Sequence, residues 1–306
     1  MSNSFITRRS SQTTKTITFD GFAEGLTHEA GTDGVSKWFN APDLSVASGR
    51  LLATHVGDYA IFNIYTNYEA YNASLEKTHL FYPSNFAVER GAATHVGNYA
   101  LFAGGGTSNS YYSSVSAISS SLEQVTPFPE SLSQAREELA ATHVGNYALF
   151  GGGSRSGPQY NIVDAYNASL ERSTPTPLSQ SRSELSATHV GNYALFAGGE
   201  NGDYYSPLST VDAYNTSLER STLTPLSQAR SYLAATHVGD YALFGGGSIN
   251  YSNGTASVEI YTTPAQKTKI TLPPNVSYTF GSLTGTTTQP TEISPDYPLF
   301  GTVTVS

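Results

Sequence analysis

The chain has no cysteine among its 306 residues. Disulfides, thiolate metal sites and a cysteine nucleophile are thereby excluded. Charge is also scarce, at 13% of residues, and the balance is acidic, with a net charge of -9. A nucleic-acid-binding surface would need a basic stripe, so none is expected. No run approaches the roughly 18 apolar residues of a membrane span, so no membrane insertion is expected. A secretory leader is not recognisable either. Arg8-Arg9 precedes a polar run where a hydrophobic region should stand.

Tyr (21), Gly (28) and abundant Ser, Thr and Asn take the place of the missing charge and aliphatic bulk. This composition suits many short strands joined by turns. One stretch organises the chain, Ala-Thr-His-Val-Gly-Asn-Tyr-Ala-Leu-Phe-Gly-Gly-Gly at Ala141 to Gly153, with copies at Ala93, Ala187 and Ala235 and a worn one at Ala53. Its histidines, His55, His95, His143, His189 and His237, are spaced by 40, 48, 46 and 48 residues. A period in the 40s marks an architecture of repeated supersecondary units. Within each copy an apolar run meets a Gly-Asn or Gly-Asp break and then a Tyr-Ala-Leu-Phe run, which reads as a tight hairpin.

One unit reads as four strands, here 139–144, 147–150, 162–166 and 170–176, closed by Pro175 and Pro177. Four such strands per period form a propeller blade. The double glycines (Gly151-Gly152 and Gly198-Gly199 among them) are followed by a variable loop and an acid-x-Tyr pair, Asp164/Tyr166 and Asp212/Tyr214. A Pro/Leu/Ser segment and an arginine (Arg50, Arg90, Arg136, Arg182, Arg230) then complete the unit. This pattern resembles the kelch repeat over about residues 35–272. It departs from that family in three places. The fourth-strand tryptophan is missing from the five copies, Asn63-Ile64 replaces the first glycine pair, and Ile118 replaces one tyrosine.

The expected fold is therefore all-β, a kelch-type β-propeller of six blades. Five would be whole repeats, at about 51–83, 91–131, 139–178, 185–226 and 233–272. The sixth would be composite, built from 15–50 and 273–306, because an open ring leaves exposed sheet edges. Five blades with a terminal extension is the alternative. Residues 1–14 read as a flexible polar arm in front of a single domain, 15–306.

The repeated histidines suggest a metal, but equivalent positions around a channel make a ring, and zinc needs its ligands about 2.0–2.1 Å from one point. Packing between blades, with bonds to neighbouring backbone or Thr, is the expected role, and no metal or cofactor is expected. The repeated carboxylates and arginines read as structural ties, since an acid/base pair is needed only once. Glu137-Glu138 are unrepeated, with no second catalytic group evident beside them. The Asn72, Asn167 and Asn215 tripeptides match glycosylation acceptors but read as turns.

Where the copies stop agreeing, after the glycines, the loops share Tyr, Ser, Asn and Gly. Paratopes use this composition because Tyr gives large contact area at low entropic cost. The candidate ligand-binding residues are Tyr111, Tyr112, Tyr160, Asn161, Tyr204, Tyr205, Asn250 and Tyr251. The expected function is a non-catalytic binding or decoration module, not an enzyme, on a phage virion surface. Its partners would be a surface glycan or host receptor, and other virion proteins through the arm. The expected location is the virion surface or extracellular space, with the cytoplasm as alternative. The alternative functions are a protein–protein scaffold and a carbohydrate-active enzyme of the kelch type, such as a sugar mutarotase. The resemblance also brings a galactose-oxidising copper enzyme to mind, but its cofactor needs a Cys–Tyr crosslink that this chain cannot form.

Overall fold

A computed structural model describes residues 2–9, 14–20, 41–46, 51–64, 67–81, 89–107, 109–202, 206–250, 253–262, 270–272, 276–280, 283–286, 288–289, 291–293 and 301–305. Strand is the only regular structure among them. Five successive antiparallel sheets follow the histidine repeats, and each runs in sequence order from its innermost strand outwards. In the third sheet the strands are Ala140–Val144, Tyr147–Gly151, Val163–Asn167 and Arg172–Ser173. They lie within one or two residues of the sequence expectation, except that the outer strand is shorter. The second and fifth sheets have three strands each, the others four. Residues 2–9, expected to be a flexible arm, pair as a strand with Thr14–Asp20, Ile6 opposite Ile17.

Each tight hairpin pairs Val with Tyr across its two-residue loop, as in Val144–Tyr147. Only the first loop residue is left-handed (Gly145, φ 52°), so the glycine alone carries the conformational demand. The outer turn depends on Asn167, whose Oδ1 accepts from the amides of Ser169 (2.9 Å) and Glu171 (3.0 Å). Asn72 and Asn215 do the same, which makes these asparagines turn residues.

The core lies between the sheets. The aromatic ring of one blade slides under the preceding blade, so the residue there must be small. A Cβ on Gly151 would stand 2.8 Å from the Phe196 ring. Each such Phe also meets the third-strand Tyr of its own blade edge-on, for example Phe196 and Tyr214 at 5.9 Å. In the second blade Ile118 stands in for that tyrosine, and Phe102 instead meets Tyr68 of the first blade at 4.9 Å.

The double glycine has a backbone reason. Gly152 has φ +71°, and a Cβ there would come within 2.6 Å of the Arg182 carbonyl. Gly152→Ala is therefore expected to destabilise by about 1–3 kcal/mol from the forced φ alone. A lowered urea midpoint with an unchanged slope would register it.

Candidate functional site

The repeated acid and arginine form the ties that the repetition implied. Arg136 meets Asp164 at 2.9 Å, Arg182 meets Asp212 at 2.9 Å and Arg230 meets Glu259 at 3.0 Å. These three arginines precede their histidines by seven residues. Arg90 precedes His95 by five, as Arg50 precedes His55, so neither is their equivalent, and the grouping made from the sequence is corrected here; Arg50 itself lies outside the described residues. The equivalents of Arg90 are Glu138, Glu184 and Tyr232.

The frame holds all four in one conformation and lets only the side chain vary. Arg90, Glu138, Glu184 and Tyr232 have positive φ, 59°, 58°, 54° and 54°. That conformation is uncommon for residues other than Gly. In the last three it aims the amide at the preceding blade. Glu138 donates to the Arg90 carbonyl (2.7 Å), Glu184 to that of Glu138 (3.0 Å) and Tyr232 to that of Glu184 (3.0 Å). The four residues thus stand side by side where the innermost strands begin, at one mouth of the channel. They rim a cavity of about 450 Å³ with Leu139, Leu185 and Leu233 in its wall.

The side chains of this rim interact with one another. Arg90 Nη1 lies 3.1 Å from Glu137 and 3.3 Å from Glu138. Ser154 Oγ donates to Glu138 at 3.1 Å. The Tyr232 hydroxyl donates to Glu184 Oε1. Burial, together with the carboxylates of Glu200 and Glu138, raises the Glu184 carboxyl to about 8. Glu200, which pairs with Ser183 at the start of the variable loop, is raised as well, again mainly by burial. One oxygen of each of these two carboxyls is buried without a donor from elsewhere, and a proton held between them satisfies both. The result is a protonated acid, a carboxylate, a phenol and a guanidinium around one cavity. Reading along one repeat places no second titratable group beside Glu137-Glu138; Arg90, from the neighbouring blade, stands there.

The histidines lie further down the same innermost strands. The channel does not hold them apart, as the sequence reading supposed. Successive ring centroids are 4.1, 4.1, 4.0 and 3.9 Å apart, because the innermost strands of neighbouring blades pack directly together. Each described imidazole therefore has imidazoles as its packing neighbours. Burial first, and the other histidines second, lower His95 to about 4, His143 to about 3 and His189 to about 4. Among the described residues no group of three or more His, Asp or Glu could hold a metal ion.

The loop residues chosen from the sequence have mixed placements. Tyr111, Tyr112, Tyr160 and Asn161 are half-buried. The backbone of Tyr112 and Tyr160 belongs to the frame, with amides donating to Gly105 and Gly153. Asn161 is bonded to the Leu178 carbonyl at 3.4 Å. Asn250 is exposed and caps its own turn through Asn253. Tyr204, Tyr205 and Tyr251 lie outside the described residues. The variable loops start on the same face as the cavity, since Ser154 and Glu200 pair with Glu137 and Ser183 beside the rim.

Sheets radiating in this order around a channel define a β-propeller. One solved structure of like fold is YjhT, a kelch-like propeller and sialic acid mutarotase, with a TM-score of 0.57. At 11% identity over 83% of this chain and 86% of that one, the likeness concerns the fold. No family model and no curated protein matches the sequence, and the kelch and virion parts of the sequence expectation gain no support. The expectation that the chain is not an enzyme is corrected by this neighbour. The propeller fold carries catalysis in YjhT, so the fold does not exclude it.

Proposed function

We propose that the protein is a carbohydrate-acting enzyme that interconverts the anomers of a sugar by acid–base catalysis at the channel mouth. The observation that carries this reading is the cluster of Arg90, Glu138, Glu184 and Tyr232. Four blades with one backbone frame present four different chemistries over a single cavity. An anomeric interconversion needs a proton delivered to the ring oxygen while another leaves the anomeric hydroxyl. The bond between the anomeric carbon and the ring oxygen then breaks to give the open-chain carbonyl, and reclosure on the other face reverses both transfers. Glu184, protonated at neutral pH, supplies the first proton, and Glu138, ion-paired with Arg90, accepts the second. Tyr232, 62% exposed, offers a ring face on which a sugar can stack. Tyr111, Tyr112, Tyr160 and Asn161 in the surrounding loops are proposed as outer glycan contacts.

Anomer exchange is measured by magnetisation-transfer NMR on a panel of neutral, amino and carboxylated sugars. At least one should exchange faster with the protein than in buffer. Glu184→Gln should slow that exchange by about 10²–10⁴-fold, the usual range for a general acid. The wild-type rate should also fall as pH rises through about 8, where Glu184 gives up its proton. No acceleration for any sugar of the panel would refute the reading.

A further inference from the structure

The fifth blade has a bare face. Val238, Val258 and Ile260 are 63%, 57% and 58% exposed, whereas their equivalents in the fourth blade, Val190, Val211 and Ala213, are 2%, 0% and 0%. In the other blades the next blade covers this face. Across the gap, the first blade carries the opposite half of an interface. Tyr71 donates to the Pro42 carbonyl at 2.7 Å and the Ser45 amide to Glu69 at 3.2 Å. Tyr214 and Ser179 make the same bonds to Thr176 and Asp212 at a complete junction between blades. Ala41–Val46 therefore holds the place of a preceding blade's exit. An apolar cavity of about 350 Å³ beside Pro42, Leu44 and Phe62 lies where that blade's core would be.

Among the described residues, the three-stranded sheet outside the five blades is of suitable make. Val276–Phe280 pairs with Leu283–Thr286 on one side and Gly301–Val305 on the other. Val276 aligns with Val305 and Tyr278 with Val303, while Ser277 aligns with Thr304 and Thr279 with Thr302. Apolar and hydroxyl residues thus alternate in phase across the three strands, the pattern of a sheet that needs cover on one face. We propose that this C-terminal sheet docks on Val238, Val258 and Ile260 of the fifth blade. It supplies the missing wall of the ring and closes the channel mouth between Tyr232 and Leu51. The occupant is the chain's own sheet because the repeated interface continues in the same direction, and because Ala41–Val46 already marks the far side of the same gap.

The absence of native cysteine permits a direct test in the full chain. Val258→Cys is compared with Phe81→Cys, at an exposed position, and Val211→Cys, at a buried one. Under the proposal the thiol at position 258 is alkylated about tenfold or more slowly than that at 81, as expected for a site that reacts only through local opening. The protein should remain a monomer by light scattering, and adding Tyr278→Asp should restore fast alkylation. Equal rates at 258 and 81 would overturn the proposal. So would protection that survives Tyr278→Asp, or protection found only in a dimer, since either assigns the face to another occupant. The readout does not depend on activity, so it stands apart from the proposed enzymology.

Discussion

Replacing Asp212 by alanine is expected to destabilise the protein by about 3–5 kcal/mol, the cost of leaving a buried charge without its partner. Asp212 and Arg182 are both fully buried. The carboxylate accepts from Arg182 Nη2 (2.9 Å), Arg220 Nη1 (2.9 Å) and both the amide and hydroxyl of Ser179 (3.0 and 2.9 Å). Ser179 belongs to the connection leaving the third blade, and Asp212 to the third strand of the fourth. The loss therefore loosens a junction between blades as well as exposing Arg182 to an apolar interior. Arg182 would keep only carbonyl partners, Phe196 at 3.2 Å and Thr210 at 3.5 Å. Urea denaturation measures the change. Adding Arg182→Met to Asp212→Ala should recover part of the loss, because the unpaired charge goes with it. Glu130→Ala provides the contrast. Its ion pair with Arg172 is largely exposed on the glutamate side, and its loss should cost less than about 1 kcal/mol.

Thermal stability should fall steeply between pH 6.5 and 4 and decline more gently as pH rises from 7 to 8. In the folded ring His95, His143 and His189 have affinities for protons lowered to about 4, 3 and 4, from 6.5 when exposed. Between those limits the unfolded chain binds protons that the packed rings refuse, so each step down in pH favours unfolding. Above 6.5 both states are neutral at these sites and the contribution vanishes. Glu184 works the other way. Raised to about 8, it keeps a proton that the unfolded chain has lost, which lowers stability as pH rises from 4.5 to 8. Glu200, raised as well, acts in the same direction, so two groups stand against three, and below pH 6.5 the histidines set the sign. A melting series from pH 8 to 4 tests this, and replacing His143 by glutamine should flatten its acid limb. An unchanged slope in that variant would show that the acid sensitivity lies elsewhere.

The repeat made the fold legible. The histidine period, the glycine breaks and the acid-x-Tyr pairs located the described strands of the blades to within a few residues, because each rests on a local demand of turn or strand. The candidate site was hidden by a shift of two residues. Arg90 resembles Arg136 in the sequence, yet it occupies the place of Glu138, and only counting back five residues from each histidine aligns it correctly. The histidine contacts were hidden for another reason. Distances between blades depend on how closely the innermost strands approach, and periodicity along the chain carries no measure of that. Tyr232 offered even less signal, since one tyrosine at a position where other copies carry Glu or Arg is ordinary in a chain with 21 of them.

The chain of amide-to-carbonyl bonds that links Arg90, Glu138, Glu184 and Tyr232 makes the mouth a set of interchangeable sockets. Each backbone is fixed by its neighbours whatever side chain it bears, as the presence of Arg, Glu and Tyr in one geometry demonstrates. These four positions can therefore be randomised together while the ring underneath stays the same. Variants selected from such a library would differ in the chemistry of the mouth before they differed in shape, and the scaffold could be turned towards new ligands without redesigning a single blade.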